Sequence, residues 1–187
     1  YKTSDGLVLS GIFTHRDLKP DNIFGKLDSN NQLTLYVGDF GRVGLIKEQS
    51  TYGRLSPEAI EFYKLNLPLR DIALFHHFNG SRMDVWQLGI LVSSILKNEY
   101  IPFDWFEKNW GEDQIENLIN IEREEVEKEI DQALKAILPE DLVMKKCWKM
   151  VKKYLLQVDP NLRRDMTYIQ KKVVKINHLL AQQGTKG

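Results

Sequence analysis

From Met83 to Leu96 the chain is almost continuously apolar, with Asp84 and Gln87 as polar interruptions, a pattern that predicts a helix buried on most sides. Ile115, Leu118, Ile119, Val126, Ile130, Leu134 and Ile137 recur at helical spacing among many glutamates, predicting one long amphipathic helix or a pair of them. The stretches 144–156 and 166–180 repeat that periodicity, the first with lysines on its outer face. Earlier in the chain the period shortens. Ile23-Phe24 and Leu33-Thr34-Leu35-Tyr36-Val37 are β-type runs separated by the turn formers Asp28-Ser29-Asn30-Asn31, so a hairpin is expected. Before it, Leu7, Val8, Leu9, Ile12 and Phe13 read as the end of a buried helix, and from Ser56-Pro57-Glu58 onward the pattern turns helical. Neither repeats nor low-complexity linkers divide the chain, and Gly184 onward reads as a frayed tail.

Composition narrows the functional classes. The 187 residues are 42% hydrophobic, enough for the core of one soluble domain. Twenty-six acidic and 26 basic residues cancel, so no overall field favours nucleic acid or a membrane surface. Cys147 is the single cysteine, which excludes an internal disulfide and fits a reducing compartment. No apolar run is long enough to span a bilayer, and Tyr1-Lys2-Thr3-Ser4-Asp5 lacks a signal-peptide pattern, so a cytoplasmic location is expected. His76, His77 and His178 have no carboxylate or cysteine at ligand spacing and read as surface or loop residues. Lys145, Lys146, Lys149, Lys152 and Lys153 and the Glu-rich region read as solvated helix faces that attract one another. Phe103 reads as core, with Trp105 and Trp110 left undecided between core and surface.

Two strings carry candidate chemistry: His15-Arg16-Asp17-Leu18-Lys19-Pro20-Asp21-Asn22 and, one hairpin later, Gly38-Asp39-Phe40-Gly41. Phosphoryl transfer calls for a carboxylate beside the incoming hydroxyl, an amide oxygen nearby to hold a metal, and a second carboxylate on that metal's other side. Asp17, Asn22 and Asp39 supply these groups in order, and the hairpin brings Asn22 and Asp39 together. The two strings resemble the catalytic loop and magnesium-binding loop of eukaryotic-type serine/threonine protein kinases. The resemblance continues through Ser56-Pro57-Glu58, similar to the family's Ala-Pro-Glu, through Asp84-Val85-Trp86-Gln87-Leu88-Gly89 in its central helix, and through Asp159-Pro160-Asn161-Leu162-Arg163 near its end.

The resemblance implies a mainly α structure, the C-terminal lobe of a protein-kinase-like α+β fold, with a small β-hairpin carrying the active-site loops. Residues 1–187 then form a partial catalytic domain. The glycine-rich loop, the nucleotide lysine and its glutamate partner are absent from the sequence, so an N-lobe is supplied by the same parent chain or another. Asp17 is implied as base, Lys19 as a cation on the transferring phosphoryl group, and Asn22 and Asp39 as Mg2+ ligands holding ATP. Thr51 would bridge the catalytic residues, and with Lys19 it favours serine or threonine over tyrosine on a protein substrate. Structural roles are implied for His15, Arg16, Phe40 and Gly41, for Asp84 as a holder of the His15-Arg16 turn, and for Glu58 paired with Arg163. Only 14 residues separate Gly41 from Ser56, leaving Ser50 and Tyr52 as phosphosites and Glu48 as a built-in anion for Arg16. The stretch from Glu58 to Asp84 is longer than the family usually has, which implies an added loop beside the substrate groove. A catalytically silent pseudokinase or kinase-derived scaffold is the alternative reading.

Overall fold

β1 (Ile23–Leu27) pairs antiparallel with β2 (Leu33–Val37), in the register Ile23 to Val37 through Leu27 to Leu33. The computed structural model describes residues 14–42, 54–65, 69–108, 121–138 and 141–184. The expected helix end at Leu7–Phe13, the segment bearing Glu48, Ser50, Thr51 and Tyr52, and Trp110 lie outside those residues. The hairpin turn is closed by Asp28, whose Oδ1 accepts the amides of Asn30 and Gln32 at 2.8 Å each, and Asn31 takes φ 61°. A short polar side chain tolerates that left-handed backbone better than a bulky one does.

Six α-helices follow among the described residues: α1 (Pro57–Tyr63), α2 (Leu69–Lys97), α3 (Asp104–Lys108), α4 (Arg123–Ala136), α5 (Leu142–Met150) and α6 (Met166–Gly184). Local chemistry sets several ends. Pro57 occupies the first helical position of α1, where its missing N–H is not needed. Asp141 Oδ1 accepts Met144 N at 2.9 Å to cap α5, and Asp165 Oδ1 accepts Tyr168 N at 2.8 Å at the start of α6. Asn98, with φ 56°, stands just beyond α2.

The central helix is longer than its apolar core. Within the stretch from Glu58 to Asp84, where an added loop is expected, residues 69–82 instead extend α2 backward, so His76 and His77 belong to a helix rather than a loop. The reason is legible afterwards: between Pro68 and Gly80 the sequence contains no helix breaker. Gly80 lies within α2 because the Thr14 side chain passes there; a Cβ would sit 2.8 Å from Thr14 Cγ2. Thr14 directly precedes the His15 loop, so this crossing seats that loop on α2.

Around α2 the core gathers Trp86, Ile90, Phe103, Trp105, Phe106, Ile130, Trp148 and Leu155, all nearly inaccessible. Trp105 is therefore core. Its ring stacks on Phe103 at 5.0 Å between centroids and meets Trp86 at 5.5 Å. The expected helix over 144–156 is divided: α5 stops at Met150 and a π-turn, Val151–Leu155, carries the chain onward. That turn presses Leu155 and Leu156 against Gly89 of α2, where a Cβ would lie 2.7 Å from Leu156 Cδ2. Facing α4, Lys152 Nζ of that turn meets Asp131 at 2.6 Å, a single ion pair between the acidic helix and the lysine-bearing segment.

Candidate active site

Helical geometry places Asp84 and Gln87, three residues apart, on one face of α2, and both are buried. Their side chains hold the backbone of a neighbouring loop. Asp84 Oδ2 accepts His15 N and Oδ1 accepts Arg16 N, each at 2.7 Å. Gln87 Oε1 accepts Leu18 N at 2.9 Å while its Nε2 donates to Arg16 O at 2.9 Å. Four polar groups of one turn are thus satisfied from a single helix. The clamp sustains a backbone that an arginine does not adopt unaided, since Arg16 has φ 65°. Burial raises the pKa of Asp84, and the two amides and the Arg16 charge oppose that rise.

His15 ties this loop to the far end of the hairpin. Its Nε2 donates to Gly38 O at 2.8 Å, which leaves Nδ1 to accept Asp17 N at 3.3 Å. The His15 ring also lies 5.1 Å from that of Phe40. Beyond Asp17, which is only 1% exposed, Lys19 Nζ sits 3.1 Å from Asp17 Oδ2. A single 3₁₀ turn, Pro20–Asn22, then brings Asn22 back, and its Nδ2 donates to Asp17 O at 2.8 Å. Asn22 O in turn accepts Gly38 N at 2.8 Å, so Asp39 follows directly on the residue bonded to Asn22. Asp39 is exposed, has φ 55°, and its Oδ1 accepts Gly41 N at 3.3 Å.

Asp17, Lys19, Asn22 and Asp39 therefore belong to one loop cluster at the open end of the hairpin. Thr51 lies outside the described residues. Elsewhere, Arg163 Nη1 and Nη2 donate to Glu58 Oε1 and Oε2 at 2.5 and 2.8 Å, joining α1 to the segment before α6. Among the described residues no group of three or more His, Cys, Asp or Glu side chains is placed to hold a metal ion. No helix among them is long and apolar enough to cross a membrane.

Comparison with known families matches residues 8–174 to the model of the protein kinase domain, which is most of the chain. The chain belongs to the eukaryotic-type protein kinase family. It is 31% identical to ribosomal protein S6 kinase alpha-6 of Danio rerio over 102 residues, covering 54% of this chain and 13% of that protein. It is 34% identical to probable serine/threonine-protein kinase nek2 of Dictyostelium discoideum over 90 residues, covering 44% of this chain and 17% of that one. The chain thus spans under a fifth of either relative's length.

Three residues of this kinase-family site were not singled out from sequence. Gln87 had a signal, an amide three positions from Asp84 in an otherwise apolar helix. Arg54 and Tyr100 had none. The buried Arg54 guanidinium lies 5.2 Å from the Tyr100 ring centroid and 5.1 Å from that of Phe106. Desolvation lowers its pKa, while Tyr100, Asp21 and Asp17 act in the opposite direction. Tyr100 OH donates to Asp21 Oδ2 at 2.5 Å, and burial followed by that bond raises the phenol's pKa. Gln87→Leu strands Leu18 N and Arg16 O in the interior, and should cost about 2–4 kcal/mol in urea unfolding. Stability equal to the parent chain would mean that the clamp on this turn is dispensable.

Proposed function

We propose that this chain is the C-terminal lobe of a serine/threonine protein kinase, transferring the γ-phosphate of ATP to protein hydroxyls together with a nucleotide-binding lobe. The observation that supports this most directly is the placement of Asp17. It is held beside Lys19 on a loop fixed by Asp84 and Gln87, at the end of a hairpin that delivers Asp39. Asp17 orients the substrate hydroxyl and takes its proton as the new O–P bond forms and the bond from the γ-phosphorus to the bridging oxygen of ATP breaks, ADP leaving. Lys19 offsets negative charge on the transferred group and, before substrate arrives, keeps the Asp17 carboxylate in place.

The donor chemistry fits magnesium. Asn22 spends its amide nitrogen on Asp17 O, which turns its oxygen away from that bond, and Asp39 presents an exposed carboxylate; both are hard oxygen donors. When bound, magnesium neutralises charge on the phosphates of ATP. Side chains of both strands support the second lobe: Phe24, Leu27, Leu33, Leu35 and Tyr36 are each more than half exposed, apolar surface suited to burial under another unit. Lys19 two positions after Asp17, Thr51 seven before Glu58, and the two relatives' kinase names support Ser and Thr as acceptors. Phosphoamino-acid analysis after reaction with radiolabelled ATP should yield phosphoserine and phosphothreonine. Phosphotyrosine alone would refute the acceptor class, and no transfer by chain and lobe together would favour a silent scaffold.

A further inference from the structure

On the side of the molecule formed by α5 and α6, far in sequence from the Asp17 loop, lies a hollow of about 340 Å3 with lysines around its rim and, among the described residues, no acidic side chain in its lining. Lys146, Lys149 and Lys153 come from α5 and the π-turn, Lys172 and Lys175 from α6. Among the described residues none of these five lysines has a carboxylate within ion-pair distance. The nearby acids of α4 are committed, Asp131 to Lys152 and Glu127 to Arg123, each at 2.6 Å. Because the whole chain is neutral, this concentration of positive charge is local. It has a chemical echo in Tyr168, whose phenol is held below its ordinary pKa by the Tyr154 hydroxyl and by Lys172.

We infer that this groove between α5 and α6 is a docking site for an acidic peptide segment of a partner protein. Charge complementarity selects the sign, and shape selects the class. Lys149 and Lys153 also line a second hollow beside α4, of about 510 Å3, together with Lys152 and with Glu127, whose carboxylate is paired with Arg123, so the lysines run on as a track that suits an extended strand rather than a point site for one ion. Met150 and Ile176 form an apolar floor beneath the lysines, at 7% and 9% exposure, placed to receive one apolar side chain of such a strand. That same depth disfavours a lipid surface, which needs protruding apolar side chains to insert. Nucleic acid would want free aromatic faces for stacking. Here the Tyr154 ring has Lys153 and Lys172 against it and the Tyr168 ring has Arg164 and Lys172, all within 5.6 Å, while the two rings pack edge-on to each other.

The inference is independent of phosphate transfer, and a binding assay tests it. A fluorescein-labelled peptide of Glu and Asp around one Leu should bind saturably by anisotropy, and a Gln/Asn version should not. K149E/K153E should weaken binding about tenfold or more, and K149Q/K153Q by a smaller factor. K128E/K135E, the same charge change at exposed positions of α4, should leave it near the parent value. Raising the salt should weaken the complex in parallel. Absence of saturable binding, equal binding of the neutral peptide, or equal loss in K128E/K135E would overturn the proposal. So would phosphatidylserine vesicles or oligouridylate binding through Lys149 and Lys153 while the acidic peptide does not.

Discussion

Asp17→Asn should reduce phosphate transfer about 10³-fold, near 4 kcal/mol of transition-state stabilisation, when the chain acts with its nucleotide-binding lobe. The substitution keeps the side chain's shape and removes its capacity to take a proton. It also deprives Lys19 Nζ of the carboxylate 3.1 Å away, so the cation proposed to act on the phosphoryl group should be less well placed. The fold has little reason to change. The loop is held by Asp84 and Gln87 through its backbone, and Asn22 Nδ2 keeps its short 2.8 Å bond to Asp17 O, while its longer 3.4 Å bond to Asp17 Oδ2 can still be accepted by the amide oxygen of Asn. The melting temperature should stay within about 3 °C of the parent. Turnover in a radiolabelled ATP assay within tenfold of the parent would remove Asp17 from the chemistry, while loss of activity with collapse of the melting transition would make it structural.

The largest effect on stability is expected at Arg163. Its side chain is fully buried and its partner Glu58 is 13% exposed, so Arg163→Met strands a carboxylate in a largely dry site. More than the ion pair is lost, since Arg163 also donates to Gln157 O at 2.7 Å and Arg82 O at 3.1 Å and lies 4.9 Å from the Trp86 ring centroid. Loss of about 3–5 kcal/mol is expected, a fall of roughly 6–20 °C in Tm for a domain of this size. Glu58→Leu combined with Arg163→Met should be less damaging than the sum of the single changes, because neither charge is then left alone. Urea unfolding followed by tryptophan fluorescence reads all three variants. Strict additivity would show that the two side chains do not depend on each other.

Legibility from sequence followed the range of the physics involved. The hairpin was readable because strand alternation and turn chemistry are local, and Asp28 closes its turn with bonds to residues two and four positions on. The core of α2 was readable from apolar density, but its first half was not, since a stretch longer than the family usually has suggests a loop until helix propensity is weighed against it. The Asp17 to Asn22 spacing was visible as a motif, and the structure adds that a 3₁₀ turn makes that spacing compact. Arg54 against Tyr100 and Phe106 was illegible: residues 46 and 52 positions apart meet only through the tertiary arrangement, and no local pattern announces such a contact. The π-turn after Met150 escaped for a related reason, because helical periodicity over a few residues does not distinguish one extra residue in a turn.

The fork between Glu58 and Arg163 joins positions 105 residues apart. Such a closure carries a loop-entropy cost until the intervening helices are in place, so it is expected to form late along the folding route. Energy gained after the rate-limiting step slows escape from the native basin without hastening arrival there. The bridge should accordingly act as a latch on the time axis, and Arg163→Met is expected to speed unfolding more than it slows refolding.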